Sequence, residues 1–172
     1  MASLSWYYFW YNTVIGSMKM PIMLKLALLS LVAVTLATGC SLGNSPAQKE
    51  LNAARKLWVS ANIEDYQFEL RVSCFCPQEI VQPVLINVVD SVAVALVYAD
   101  NDSPVTTEFF ARSDTVDKLF EIIQEAINSE ADSLKVTYDK NLGYPVSVII
   151  DQIAEAVDEE ISYFVSNLTP LS

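Results

Sequence analysis

The sequence predicts an α+β domain of two layers, with two helices on one face of an antiparallel sheet and the element order αβββαβββ. Two segments repeat apolar residues at helical spacing: Leu51, Ala54, Leu57 and Trp58 in one, Val116, Leu119, Phe120, Ile123 and Ile127 in the other. Each is followed by three stretches that read as strands. The clearest is "DYQFELRVSC", where Tyr66, Phe68, Leu70 and Val72 alternate with Gln67, Glu69, Arg71 and Ser73. Turn residues punctuate each triplet, Asp90-Ser91 in the first and "YDKNLGYP" in the second, with Gly143 able to take a positive φ.

In chain order, Ser45 caps the first helix, Pro46 takes its first position, and the apolar repeat continues to about Ser60. Residues 83–89 and 92–98 supply the second and third strands. A polar stretch, "ADNDSPVTTEFFARSD", crosses to the second helix, which has Thr115 as its cap and Asp117 in its first turn. Residues 133–138, 145–151 and 160–167 complete the strands. The two halves read as one αβββ unit repeated, although no residue-level repeat accompanies it.

The 172 residues suffice for one domain and a leader. The apolar run Leu26 to Ala37 is 12 residues long, preceded by Lys19 and Lys25. A membrane-spanning helix needs roughly 20 apolar residues, whereas a signal-peptide core needs about 7–15. The run ends in "LATGC", which resembles the lipobox of bacterial lipoproteins. The resemblance implies cleavage before Cys40 and a diacylglyceryl group on its thiol, a role suited to the nucleophilic thiolate. Two or three acyl chains then anchor far more firmly than one. The expected organisation is a signal peptide over 1–39, a lipidated tether over 40–45 and a single domain over 46–172. Residues 1–17 are uncharged, rich in aromatic side chains and lie ahead of the basic region. A start at Met18 makes a normal leader, so they read as an over-extended frame outside the folded domain.

Cleavage removes Lys19 and Lys25 and no acid, leaving eight basic against 21 acidic side chains, a net of −13. Nucleic acid and anionic lipid headgroups repel such a domain. No nucleic-acid partner is expected.

"SCFCPQE", "TVDKLF", "YDKNLGYPVSVIID" and "VDEEISYFVS" together resemble the bacterial family of the domain of unknown function 6174, over roughly residues 45–168. Members are typically secreted or lipid-anchored, in keeping with the lipobox, and the family supplies no activity to carry over. Asp90-Ser91 stands where an Asp-Gly turn is expected. The element order is also similar to the PepSY-like and β-lactamase-inhibitor-like folds of bacterial envelopes, an analogy of fold alone.

Cys74 and Cys76 continue the buried face of the first long strand, with Phe75 pointing outward. In a straight strand their Cα atoms would be about 6.6 Å apart. A disulfide brings Cα atoms to about 4.4–6.8 Å and Cβ atoms near 3.8 Å, so the backbone has to bend, and Pro77 is a reason for the strand to stop there. A bridge closing so short a loop contributes roughly 1.6 kcal/mol by chain entropy. With Cys40 committed to lipid, Cys74 and Cys76 are each other's available intrachain partners outside the cytoplasm. Buried free thiols, a metal site and a redox pair remain alternatives at this stage. The chain has no histidine and its four methionines all lie in the leader, so zinc coordination would need carboxylates at no recognisable spacing.

"DKNLGYP" places Asp139, Asn141 and Gly143 like a calcium loop, but Tyr144 and Ile150 occupy the positions where glycine and glutamate belong. The segment "EAVDEE", residues 155–160, reads as a solvated loop able to meet cations or a basic partner. Without histidine there is no Ser-His or Cys-His pair, and no glycine-rich phosphate loop exists among four glycines. No catalytic residue, metal site or cofactor is assigned.

The expectation is a lipid-anchored protein of the bacterial cell envelope, attached through Cys40, whose domain binds an unidentified protein or peptide without catalysis. In a Gram-negative host, Ser41 after the lipid site favours the outer membrane, with the domain facing the periplasm. The alternative is a thiol-based redox or metal-responsive protein working through Cys74 and Cys76.

Overall fold

A computed structural model describes residues 45–153, 155–156 and 159–171. The leader, the start at Met18, Cys40 and residues 41–44 of the tether lie outside the described residues. Helix α1 spans Pro46–Ala61, and the hydroxyl of Ser45 accepts the Gln48 N–H at 3.1 Å, as its capping role requires. Asn62 ends the helix with φ 50°, its N–H donating to the Val59 carbonyl. Four residues later the chain has reversed into β1, Tyr66–Ser73. The short helix α2, Gln78–Val81, is an element that the apolar pattern does not announce. Strands β2, Val84–Val89, and β3, Val92–Tyr98, form the first hairpin.

A single 3₁₀ turn, Thr107–Phe110, leads to helix α3, Val116–Asn128, where the Thr115 hydroxyl accepts the Lys118 N–H at 3.3 Å. Strands β4, Ser133–Tyr138, β5, Pro145–Asp151, and β6, Ile161–Pro170, follow. The last runs three residues past its expected end because a bulge absorbs Asn167, at φ 55°, between the pairs Glu69↔Ser166 and Gln67↔Thr169.

The six strands form one antiparallel sheet in the order β3-β2-β1-β6-β5-β4, so the first strand pairs with the last. The α+β class therefore holds. The repeated order of elements does not extend to three dimensions. Superposing the first triplet on the second moves each strand three places and reverses it, a rotation that would put the two long helices on opposite faces. Both lie on the same face, and Gln48 of α1 hydrogen-bonds Gln124 of α3 at 2.9 Å.

The core lies between that face and the helices. It draws Leu51, Ala54 and Trp58 from α1, Tyr66, Phe68, Leu70 and Val72 from β1, and Leu119, Phe120 and Ile123 from α3. Fully burying each large side chain contributes about 1.5–3 kcal/mol, which is why the period of two in β1 and of 3.6 in α3 set the orientation of both. Gly143 takes φ +80°, and a Cβ there would stand 2.3 Å from the Ala54 carbonyl oxygen. The β4–β5 turn can thus press against α1 only through glycine.

Tyr66 joins the layers. Its ring packs edge-on against Trp58 at 5.2 Å, and its hydroxyl accepts the N–H of Val116, the first residue of α3, at 3.0 Å. Burial pushes this phenol up to about 12, the Val116 N–H pulling the other way and Asp117 and Asp114 adding to the rise. Burial likewise takes Tyr138 to about 12, with Glu50 raising and Arg55 lowering it.

An unfolded phenol ionises near 10, so both tyrosines keep their protons longer in the folded chain. Their contribution is whole below pH ~10 and is lost as pH climbs toward 12. Urea melts between pH 9 and 12 will show stability falling across that window. Tyr66→Phe will lower stability by about 1–3 kcal/mol at neutral pH, by orphaning a buried N–H, and will flatten the alkaline slope. The β2–β3 turn offers the opposite sign. Asp90 and Ser91 sit at φ 49° and 63°, a geometry that suits glycine at the second position. Ser91→Gly will raise the urea midpoint, by roughly 1 kcal/mol in stability.

Candidate functional site

The end of the sheet where β1 stops brings together the features with chemistry to offer. Ser73 closes β1 opposite Ser162 of β6, and the backbone bends directly after it. The Cα atoms of Cys74 and Cys76 come to 5.2 Å, closer than a straight strand permits, and their sulfurs lie 2.00 Å apart, at disulfide distance. Pro77 then opens α2. Cys74 is half-buried against the core. Phe75, between the two cysteines, is 84% exposed, whereas Tyr66, Phe68, Phe110 and Phe120 are wholly buried.

Beside Phe75 runs an open cleft of about 370 Å³, lined by Ser73, Cys74, Phe75, Glu160 and Ser162. Ser162 is buried and Glu160 exposed. Among the described residues Glu160 has no ion-pair or hydrogen-bond partner. Glu79, Glu155 and Glu159 are also exposed in the segments that meet at this end. One strand-step inward, on the outer sheet face, the Arg71 guanidinium lies 4.6 Å over the Phe164 ring.

Trp58 of α1 meets Tyr66 at the start of β1, and Gln48 meets Gln124 in the half of α3 whose end bonds Gln152 just beyond β5, so α1 runs back against β1 and the chain enters the domain toward the end where β1 delivers Cys74. The acidic segment, of which Glu155, Ala156, Glu159 and Glu160 are described, leads into β6 there. The remaining sequence-level candidate lies at the other end of the sheet. The Asp139 carboxylate accepts the N–H groups of Asn141 at 2.9 Å and Leu142 at 2.7 Å, and Ile150 is buried in β5. That loop is a turn held by its own aspartate. Among the described residues, no group of three or more histidine, cysteine or acidic side chains is placed to hold a metal ion. No described helix is long and apolar enough to cross a membrane.

Cys74, Phe75 and Cys76 were visible in the sequence as one motif, whereas Glu160 and Ser162 were not. They stand some 85 positions further on, and only the β1–β6 pairing, first strand against last, brings them alongside. The one sequence signal was the acidic run ahead of β6.

The family described as "Family of unknown function (DUF6174)" matches residues 50–170, nearly all of the described domain. Neither a curated protein nor a solved structure matches the chain.

Alkylating the denatured, unreduced chain after secretion to an oxidising compartment reads the state of the pair by intact mass. With Pro77 ending the strand and the Cα atoms brought to 5.2 Å, a bridge between Cys74 and Cys76 is expected, giving no adduct on either and two adducts after reduction. Two adducts without reduction would return them to free thiols.

Proposed function

The chain belongs to the family of unknown function DUF6174, and we propose that it is a lipid-anchored envelope protein whose domain is a non-catalytic binding module. The observation that carries this reading is Phe75. Tyr66, Phe68, Phe110 and Phe120 are buried and Phe109 is half exposed, whereas this ring stands 84% exposed on a three-residue tip between two cysteines. Exposed aromatic anchors on stiff supports supply much of the energy in protein interfaces, because little conformational entropy is lost when they dock.

The anchor itself rests on the sequence. "LATGC" offers Cys40 for acylation, and four residues separate it from the helix cap at Ser45, five steps along the chain with a reach of about 17 Å when extended. In the bacterial envelope such a tether would hold the Phe75 end of the domain toward the bilayer. In a Gram-negative host, Ser41 favours the outer membrane and its periplasmic face. A bridge between Cys74 and Cys76 serves, in this reading, to stiffen the tip, and its small chain-entropy contribution suits a local brace better than a global staple.

The competing class, thiol-based redox or metal-responsive action, draws on the same sulfur pair. Cells carrying a photo-crosslinking amino acid at Phe75 will yield a discrete adduct that the same group at Val59, exposed on α1, does not. Cys40→Ser will release the protein from the membrane fraction. Equal labelling from both positions would remove the binding reading. A Cys74→Ser, Cys76→Ser double variant that folds normally yet behaves as a null in cells would move the function to the thiols.

A further inference from the structure

The cleft beside Phe75 has a composition that selects its occupant. It is lined by the exposed aromatic Phe75, the exposed acid Glu160, the hydroxyl residues Ser73 and Ser162, and Cys74. Among the described residues no ring or cation packs on Phe75, and no cation pairs with Glu160. Elsewhere the same chain satisfies phenylalanine faces with its own arginines, Arg71 over Phe164 at 4.6 Å and Arg55 over Phe120 at 5.4 Å.

We propose that the cleft receives a cationic side chain, arginine above all, presented by a basic segment of a partner protein. The proposal rests on the binding-module reading and names its site and its ligand chemistry. A guanidinium stacks flat on an aromatic ring while its edge donates to a carboxylate and to hydroxyl oxygens, so all three kinds of lining group are used at once. At about 370 Å³ the cleft falls at the small end of ligand sites, sized for a side chain. The charge balance agrees. Beyond residue 39 the chain carries eight basic against 21 acidic side chains, and Glu79, Glu155 and Glu159 add negative potential around this end. Such a field draws in basic partners and slows acidic ones. It also opposes docking of this end on anionic lipid headgroups, although the tether would bring it close to them.

The test uses the full chain in mild detergent and a fluorescein-labelled Gly-Arg-Gly-Arg-Gly peptide, read by anisotropy at physiological salt. Its twin carries citrulline, of nearly the same shape without the charge. The arginine peptide will bind at least about tenfold more tightly than the twin, and Phe75→Ala and Glu160→Gln will each weaken it by about that factor. Glu64→Gln removes the same charge from the loop at the opposite end of β1 and will change binding less than about twofold. All three positions are exposed, so unchanged thermal melts will verify that the variants fold.

Equal losses in the Glu64 and Glu160 variants would reduce the effect to diffuse attraction and overturn the proposal. Equal affinity for the citrulline twin, or no binding by the wild-type chain, would do the same. If Phe75→Ala leaves peptide binding intact, the ring is not part of the site and the arginine proposal is wrong. A crosslink from position 75 in cells that persists through any of these failures leaves the binding module standing and removes only its arginine chemistry.

Discussion

The fold turns on a single phenol. Tyr66 opens β1, one of the two innermost strands, and both long helices meet on it. Trp58 of α1 packs against its ring, Phe68 lies alongside at 5.8 Å, and its hydroxyl takes the first N–H of α3. The first N–H groups of a helix have no partner within it, and in a buried setting one of them left unsatisfied costs more than an ordinary hydrogen bond returns. The Val116 N–H is such a group. Meeting it with a side chain from the sheet fixes where α3 begins and how far along the sheet it can slide. Phenylalanine would fill the same space and leave the helix start open.

With Tyr66 holding one end of β1, the other end is a consequence. Eight residues of strand carry the chain to Ser73 beside Ser162, and the packing of β1 between β2 and β6 leaves no freedom in direction. The tip that follows is short, ends in Pro77 and has its two sulfurs at bonding distance. Phe75 is exposed because the strand beneath it is committed on both sides and the core face has already been filled by Val72 and Cys74. A rigid base and an unburied aromatic are what an anchoring side chain needs.

Charge is distributed with a similar economy. Among the described residues two ion pairs form, Lys118 with Asp114 and Arg112 with Glu125, all within or just ahead of α3. Arg55 and Arg71 lie on phenylalanine rings instead. Most carboxylates are therefore left facing water, where they cost little singly and sum to a field over the whole surface. Near the end of β1 that field coincides with a cleft, an aromatic and two hydroxyls, which turns a general property of the composition into a local one.

The sequence by itself determined the two helices with their caps at Ser45 and Thr115, the buried face of β1, and the turns at Asp90-Ser91 and Gly143. Each of these depends on residues a few positions apart, whose periodicity or backbone preference acts locally. It also set Cys74 and Cys76 two positions apart, where a bridge needs the kind of bend that the structure places after Ser73. What it could not contain is the pairing of β1 with β6, because hydrogen bonds between strands are made by backbone groups common to every residue and leave no mark on which strand meets which. That pairing set the sheet order, separated the two halves into meanders that are not copies, and drew Glu160 and Ser162 to Phe75. The short helix after Pro77 and the bulge at Asn167 belong to the same class, since both follow from fitting chain to neighbours already in place. Local patterning decided the elements, and only closure of the first strand on the last decided the site.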